Sequence, residues 1–158
     1  MDETTGATVR LRTIVVGVDK SQGAQRALEW AAARAAETGA EVVAVYVLTY
    51  SHEFAADLSL ASLTNWRREL ERDLAGPWTD AARAAGVKVR ALVVEDETAA
   101  AGILATADSL HADMVVLGAH GRGNLADRFL GATTYRATHR ARTPVVIIPV
   151  DWKPHAGT

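Results

Sequence analysis

Five short runs dominated by valine and isoleucine recur along the chain, and alanine-rich segments fill the intervals. The runs are "TIVVGV" (13–18), "EVVAVYVL" (41–48), "VKVRALVV" (87–94), "DMVVLG" (113–118) and "PVVIIPV" (144–150). Three of them are almost continuously apolar, as strands covered on both faces must be. The segments between them carry helical periodicity. Ala24, Leu28, Ala31 and Ala35 share one face of the first, and Thr38-Gly39 supplies its stop. Ile103, Leu104, Ala107 and Leu110 form the stripe of the third. Strands alternating with helices predict a three-layer α/β domain built on a parallel sheet with right-handed crossovers.

Two intervals carry irregularities. The second helix, expected over roughly 58 to 85, has Leu60, Leu63, Leu70 and Leu74 on its inner face. Gly76-Pro77 interrupts it, because proline removes a donor and disfavours helix at the preceding residue. A kink or two abutting helices is expected, with Trp78 packing the joint. A fourth helix is expected from about 125 to 141. Asn124 followed by Asp127 resembles a capping box with altered residue types, and Gly131 falls inside the apparent helix.

At 158 residues the chain suits a single domain, with a core over about 12–150 and flexible ends at 1–11 and 151–158, although Trp152 is placed to tuck against the body. A formal net charge of −2 gives no global pull toward nucleic acid or acidic membranes. There is no cysteine, so thiolate catalysis and cysteine metal sites are excluded. The polar start "MDETTGATVRLRT" is the reverse of a signal peptide, and no apolar run approaches membrane-spanning length. A cytoplasmic protein is expected.

In open α/β sheets ligands sit outside the carboxyl ends of the strands, where strand order reverses. Two ends stand out. After the first strand, "GVDKSQGA" places Asp19 at the tip and Ser21 at a helix N-cap position. The fourth strand runs into "VLGAHGRGNLADRFLGATTYR", with glycines at 118, 121, 123 and 131. This is no Walker A loop, since Asn124 and Leu125 follow Gly123, and Ala126 breaks a dinucleotide fingerprint. Bare backbone opening a helix can still hold an anion, and a merely structural turn is the other reading.

The spacing of Gly118, Gly121 and Gly131 is the G-x2-G-x9-G pattern of the universal stress protein family. "IVVGVDKSQGAQRAL" resembles that family's first strand and turn, "TPVVIIPV" resembles its closing strand, and the likeness runs from about residue 12 to 150. The resemblance implies an adenine nucleotide alpha hydrolase-like fold, with a five-stranded parallel sheet in the order 3-2-1-4-5. It implies a dimeric sensor or regulator that binds ATP, with or without Mg2+, using Val18 and Asp19 at the adenosine portion. Val45, Tyr46 and Val47 would offer backbone to the adenine. Gly118, His120, Gly121, Arg122, Gly131, Ala132, Thr133 and Thr134 would surround the ribose and phosphates.

The pattern is incomplete. Ala132 replaces the family's usual Ser or Thr, Ala119 replaces a frequent Ser, and Thr134 falls where a second hydroxyl is common. Those departures leave AMP or cyclic AMP as alternatives, and leave open a nucleotide-free dimer that acts through protein contacts. Pairing of the last strand, 144–150, with a second copy is implied; an unidentified protein partner is possible, and no nucleic acid or membrane contact is expected.

Other residues have plainer readings. Asp19 serves a helix start equally well, and His120, Arg122 and Arg128 are ordinary in a solvated loop. Tyr50 and His52 either cap a base or are plain loop residues. "NWRRELERDL" reads as a salt-bridged exposed face, and Arg136, His139, Arg140 and Arg142 crowd a helix end, where cations suit the dipole. No G-x-S-x-G elbow or H-E-x-x-H pair is present, and His52-Glu53 lacks its second histidine. The chain is therefore not expected to be an enzyme beyond slow Mg2+-dependent ATP hydrolysis.

Overall fold

The computed structural model describes residues 10–49, 59–120 and 130–155. Five parallel strands, β1 (Thr13–Gly17), β2 (Glu41–Leu48), β3 (Val89–Glu95), β4 (Met114–Gly118) and β5 (Val145–Ile148), form one sheet in the order β3-β2-β1-β4-β5. Helices α1 (Gln22–Thr38), α2 (Leu60–Ala75), α3 (Asp80–Ala84), α4 (Ala99–Ser109) and α5 (Ala132–Arg140) lie between them in the chain. The sheet separates two cores. Ile14, Val16, Val42, Ala44 and Val116 pack with Leu28 of α1 and Leu70 and Leu74 of α2. Val15, Val43, Val45 and Val115 pack with Ile103 of α4 and Ala137 of α5. This alternation is the two-residue period of a strand, with both faces covered.

Helix α1 buries Ala24, Ala27, Leu28, Ala31, Ala32 and Ala35. It stops at Gly39, whose φ of 74° is left-handed and whose N–H donates to Ala35 O at 2.8 Å.

The expected break at Gly76-Pro77 separates α2 from α3. Thr79, fully buried, donates its hydroxyl to Leu74 O at 2.7 Å and so ties the joint. Trp78 stacks at a tilt on Tyr46, with centroids 6.0 Å apart. Leu60 departs from expectation: it opens α2 and is 81% exposed. Full burial along α2 begins only at Leu70, and Leu63 is half-buried.

The last helix also differs from the reading of the sequence. It starts at Ala132, and Gly131 stands at its N-cap with φ −58° and ψ 155° instead of inside it. The Gly131 N–H donates to Ala119 O at 2.8 Å, a tertiary bond rather than a helical one. Residues 125–129 and the Asn124/Asp127 box lie outside the described residues.

Both ends of the core are tied. Arg12 and Thr13 donate their N–H groups to Asp113 Oδ2 at 2.8 and 3.0 Å. Trp152 packs against the α1 side and donates its N–H to Pro149 O at 3.1 Å. Arg67 of α2 pairs with Glu71 at 3.0 Å and also with Glu95 of β3, as a salt-bridged face requires. Among the described residues no helix is long and apolar enough to cross a membrane.

Candidate functional site

Strands β1 and β4 lie side by side at the centre of the sheet, and chain direction diverges from there to opposite edges. A cavity of about 360 Å³ opens at their carboxyl ends. Its size falls at the low end of the usual range for small-molecule sites.

The β1 side is built by two successive turns. Val18 N donates to Val45 O at 2.9 Å, which carries β1 one residue past its last paired position. Asp19 Oδ1 then accepts from Ser21 N at 2.8 Å, and Ser21 Oγ accepts from Ala24 N at 3.1 Å to cap α1. Asp19 therefore organises the turn and also lines the cavity.

On β2 the peptide groups alternate between neighbours. Val45 O already serves Val18, so the equivalent groups of Val47 point past the end of β1 toward the cavity. Of the three β2 residues singled out in the sequence, Val47 is thus the one with backbone to offer.

The β4 side carries the glycines. A Cβ on Gly118 would lie 2.5 Å from Gly23 C and 2.6 Å from Gly23 O, so its bareness lets α1 sit on the strand end. Thr134, only 3% exposed, donates its hydroxyl to Gly118 O at 2.7 Å. The first ladder bond of α5 runs from Tyr135 N to Gly131 O, which leaves the N–H groups of Ala132, Thr133 and Thr134 ahead of it at the cavity wall. Ala132 brings no hydroxyl, and Thr134 has already committed its proton. His120 lines the cavity with Nε2 buried and unpartnered among the described residues.

Val18, Asp19, Val45, Tyr46, Val47, Gly118, His120, Gly131, Ala132, Thr133 and Thr134 thus meet at one cavity. Gly121 and Arg122 lie outside the described residues, as do Tyr50, His52 and Arg128. Sequence reasoning missed Gly17, Thr49, Ala99, Ile103 and Leu117, which also line it. Thr49 had a signal, since it directly follows β2. Ile103 had none: it reads as ordinary helix stripe, and only the fold shows its Cδ1 occupying the space beside Gly17. No cluster of metal-ligating side chains occurs among the described residues.

The described cavity wall carries one acidic side chain, Asp19, and no lysine or arginine. Among the described residues, the features of this wall suited to an anion are peptide N–H groups and the α5 dipole.

A model of the universal stress protein family matches residues 10–149. Universal stress protein Rv2005c of Mycobacterium tuberculosis is 31% identical over 137 residues, 85% of this chain and 44% of that protein. The chain therefore spans less than half the length of the curated relatives it matches. Among solved structures, the universal stress protein UspA from Lactobacillus plantarum has a TM-score of 0.75 at 26% identity, covering 89% of this chain and 99% of its own. A universal stress protein in complex with cAMP has a TM-score of 0.69 at 24% identity, covering 89% and 98%. The universal stress protein from Archaeoglobus fulgidus in complex with dAMP has a TM-score of 0.64 at 23% identity, covering 89% and 99%.

Proposed function

Because the chain belongs to the universal stress protein family, we propose that its cavity binds an adenine nucleotide and that the protein is a dimeric sensor or regulator in a stress response. The observation that carries this reading is the convergence on one cavity of Asp19, the β2 edge at Val47, Gly118 and the opening N–H groups of α5. Asp19, Val47 and the start of α5 each supply a distinct part of nucleotide recognition. The Asp19 carboxylate has a second oxygen to accept from ribose hydroxyls. The Val47 peptide suits the donor and acceptor edge of adenine. The α5 N-terminus suits a phosphate. Solved family members in complex with cAMP and dAMP support an adenine ligand.

ATP, with or without Mg2+, is the ligand we propose first. Ala132 and the committed Thr134 hydroxyl weaken the grip on outer phosphates, which favours AMP or cyclic AMP as the alternatives. The same two features favour the second reading, a nucleotide-free dimer working through protein contacts. We assign binding and no catalytic step.

The edge position of β5 supports the dimer reading. Val115 N donates to Pro144 O and Ala119 N to Ile148 O, so even-numbered positions face β4 and the peptide groups of Val145 and Ile147 point outward. An antiparallel second copy would satisfy them and cover this apolar edge.

Amide chemical shifts of labelled protein titrated with ATP, AMP and cyclic AMP, with and without Mg2+, test the reading. Saturable shifts confined to Asp19, Thr49, Val47, Gly118 and Ala132–Thr134 support it. Unchanged spectra with all three ligands would leave the nucleotide-free dimer, whose mass in solution light scattering then measures.

A further inference from the structure

The outer face of α5 has no role in the cavity, and its composition differs from every other helix surface. At about 100° per residue, Tyr135, Arg136 and His139 fall opposite the buried Thr134 and Ala137, with Arg140 on the flank. All four are exposed, Tyr135 by 57%, and Arg142 follows just beyond the helix, also exposed. From residue 130 to 150 there is no aspartate or glutamate at all.

Four helix arginines elsewhere pair locally, and the two that do not, Arg68 and Arg72 of α2, stand among Glu69, Glu71 and Asp73. Arg26 pairs with Glu29 and Arg34 with Glu37 on α1, Arg67 with Glu71 on α2, and Arg83 with Asp80 on α3. No ion pair among the described residues involves Arg136, Arg140 or Arg142. The helix dipole accounts for cations in the last turn, His139 and Arg140, but not for Arg136 in mid-helix, beyond the dipole's reach.

Tyr135 is held for contact. Its ring stacks on His139 at 4.4 Å between centroids, and His139 Nδ1 donates to Tyr135 O at 2.8 Å, which fixes the imidazole orientation. Tyrosine and arginine are the residue types that most often anchor protein interfaces.

We infer that the outer face of α5, formed by Tyr135, Arg136, His139, Arg140 and Arg142, is a docking surface for an acidic segment of a partner protein. Charge complementarity selects this occupant. Arginine forks match carboxylates two-pronged, and Tyr135 offers a flat apolar body for a side chain between them. A nucleic acid fits less well, because its affinity grows with the number of phosphates neutralised and this face is small. This face supplies three arginines on a chain of net charge −2. The inference stands whether or not the cavity holds a nucleotide.

The probe is a fluorescein-labelled peptide of eight glutamates around a central phenylalanine, read by anisotropy against the full chain. A duplex DNA of matched charge is measured in parallel. Arg136→Glu with Arg140→Glu is expected to weaken peptide binding at least tenfold, and Tyr135→Ala to weaken it severalfold. Arg72→Glu with Lys153→Glu, an equal charge change on exposed residues away from α5, is expected to leave it within twofold. Circular dichroism melting checks that the exposed substitutions leave the fold intact. Equal losses from the Arg72/Lys153 pair and the Arg136/Arg140 pair, no binding by the unsubstituted chain, or tighter binding of the duplex through the same arginines would each overturn the assignment.

Discussion

Gly118, at the end of β4, and Gly23, in the first turn of α1, are in backbone contact: a Cβ on Gly118 would come within 2.5 Å of the Gly23 carbonyl carbon. The relationship extends two residues further along the loop, since a Cβ on Gly23 would meet His120 O at 2.3 Å. Two glycines far apart in the chain thus let the cap of α1 and the end of β4 share one wall of the cavity. Gly118 is bare for packing within the protein, whatever approaches from the other side.

Gly118→Ala should therefore destabilise the fold, by about 1–3 kcal/mol as for other overpacked sites. Gly23→Ala should do the same, with a lower urea midpoint in each. Because the two share one contact, the double substitution should cost less than the sum. Strictly additive losses would mean that the contact does not couple them.

Thr134 supplies a second tie to the same residue through its hydroxyl on Gly118 O. Thr134→Val keeps the shape and removes the donor to the part-buried Gly118 O, so a loss of about 0.5–1.5 kcal/mol is expected in chemical denaturation. Thr134→Ser keeps the donor and should retain most of the stability. Equal losses in the two would locate the effect in packing instead.

Glu41, where β2 begins, binds Lys88 at 2.8 Å and Arg90 at 2.9 Å, with its side chain 17% exposed. The hydrogen bond from Lys88, then the charge of Arg90, hold its carboxyl below the ordinary range despite partial burial. A carboxylate with a lowered folded pKa stabilises the protein above its unfolded pKa, about 4.3 for Glu, and loses that contribution as pH falls through the folded value. Glu41→Gln should thus cost no more than about 1 kcal/mol at neutral pH, the scale of ion pairs near the surface. The gap between the two proteins should close as acid takes the pH below about 4. A gap that persists at low pH would contradict the ion-pair origin.

The strands were legible because runs such as "VVAVYV" must be buried on both faces, and the structure buries them so. The strand order came from likeness to a family, since nothing in a local pattern says which run neighbours which. Leu60 was misplaced because periodicity reports a stripe and not which of its residues the fold covers. Gly131 was read into a helix interior because its partner, Ala119 O, lies on another segment. The cavity shows the same divide. Asp19, Gly118 and Thr49 follow strand ends and can be found by rule, whereas Ile103 enters from a helix whose sequence announces only packing.

The central claim is that the cavity is an adenine-nucleotide site, and calorimetric titration with ATP, AMP and cyclic AMP, with and without Mg2+, tests it most directly. The companion variant is Ala132→Trp, because Ala132 is exposed at the cavity mouth and an indole there would occupy the site without entering the core. The account predicts saturable one-to-one binding of at least one of the three nucleotides to the unaltered protein, lost in the variant while its melting curve is retained. No heat of binding from any of them, in protein shown to carry no nucleotide from purification, would contradict it.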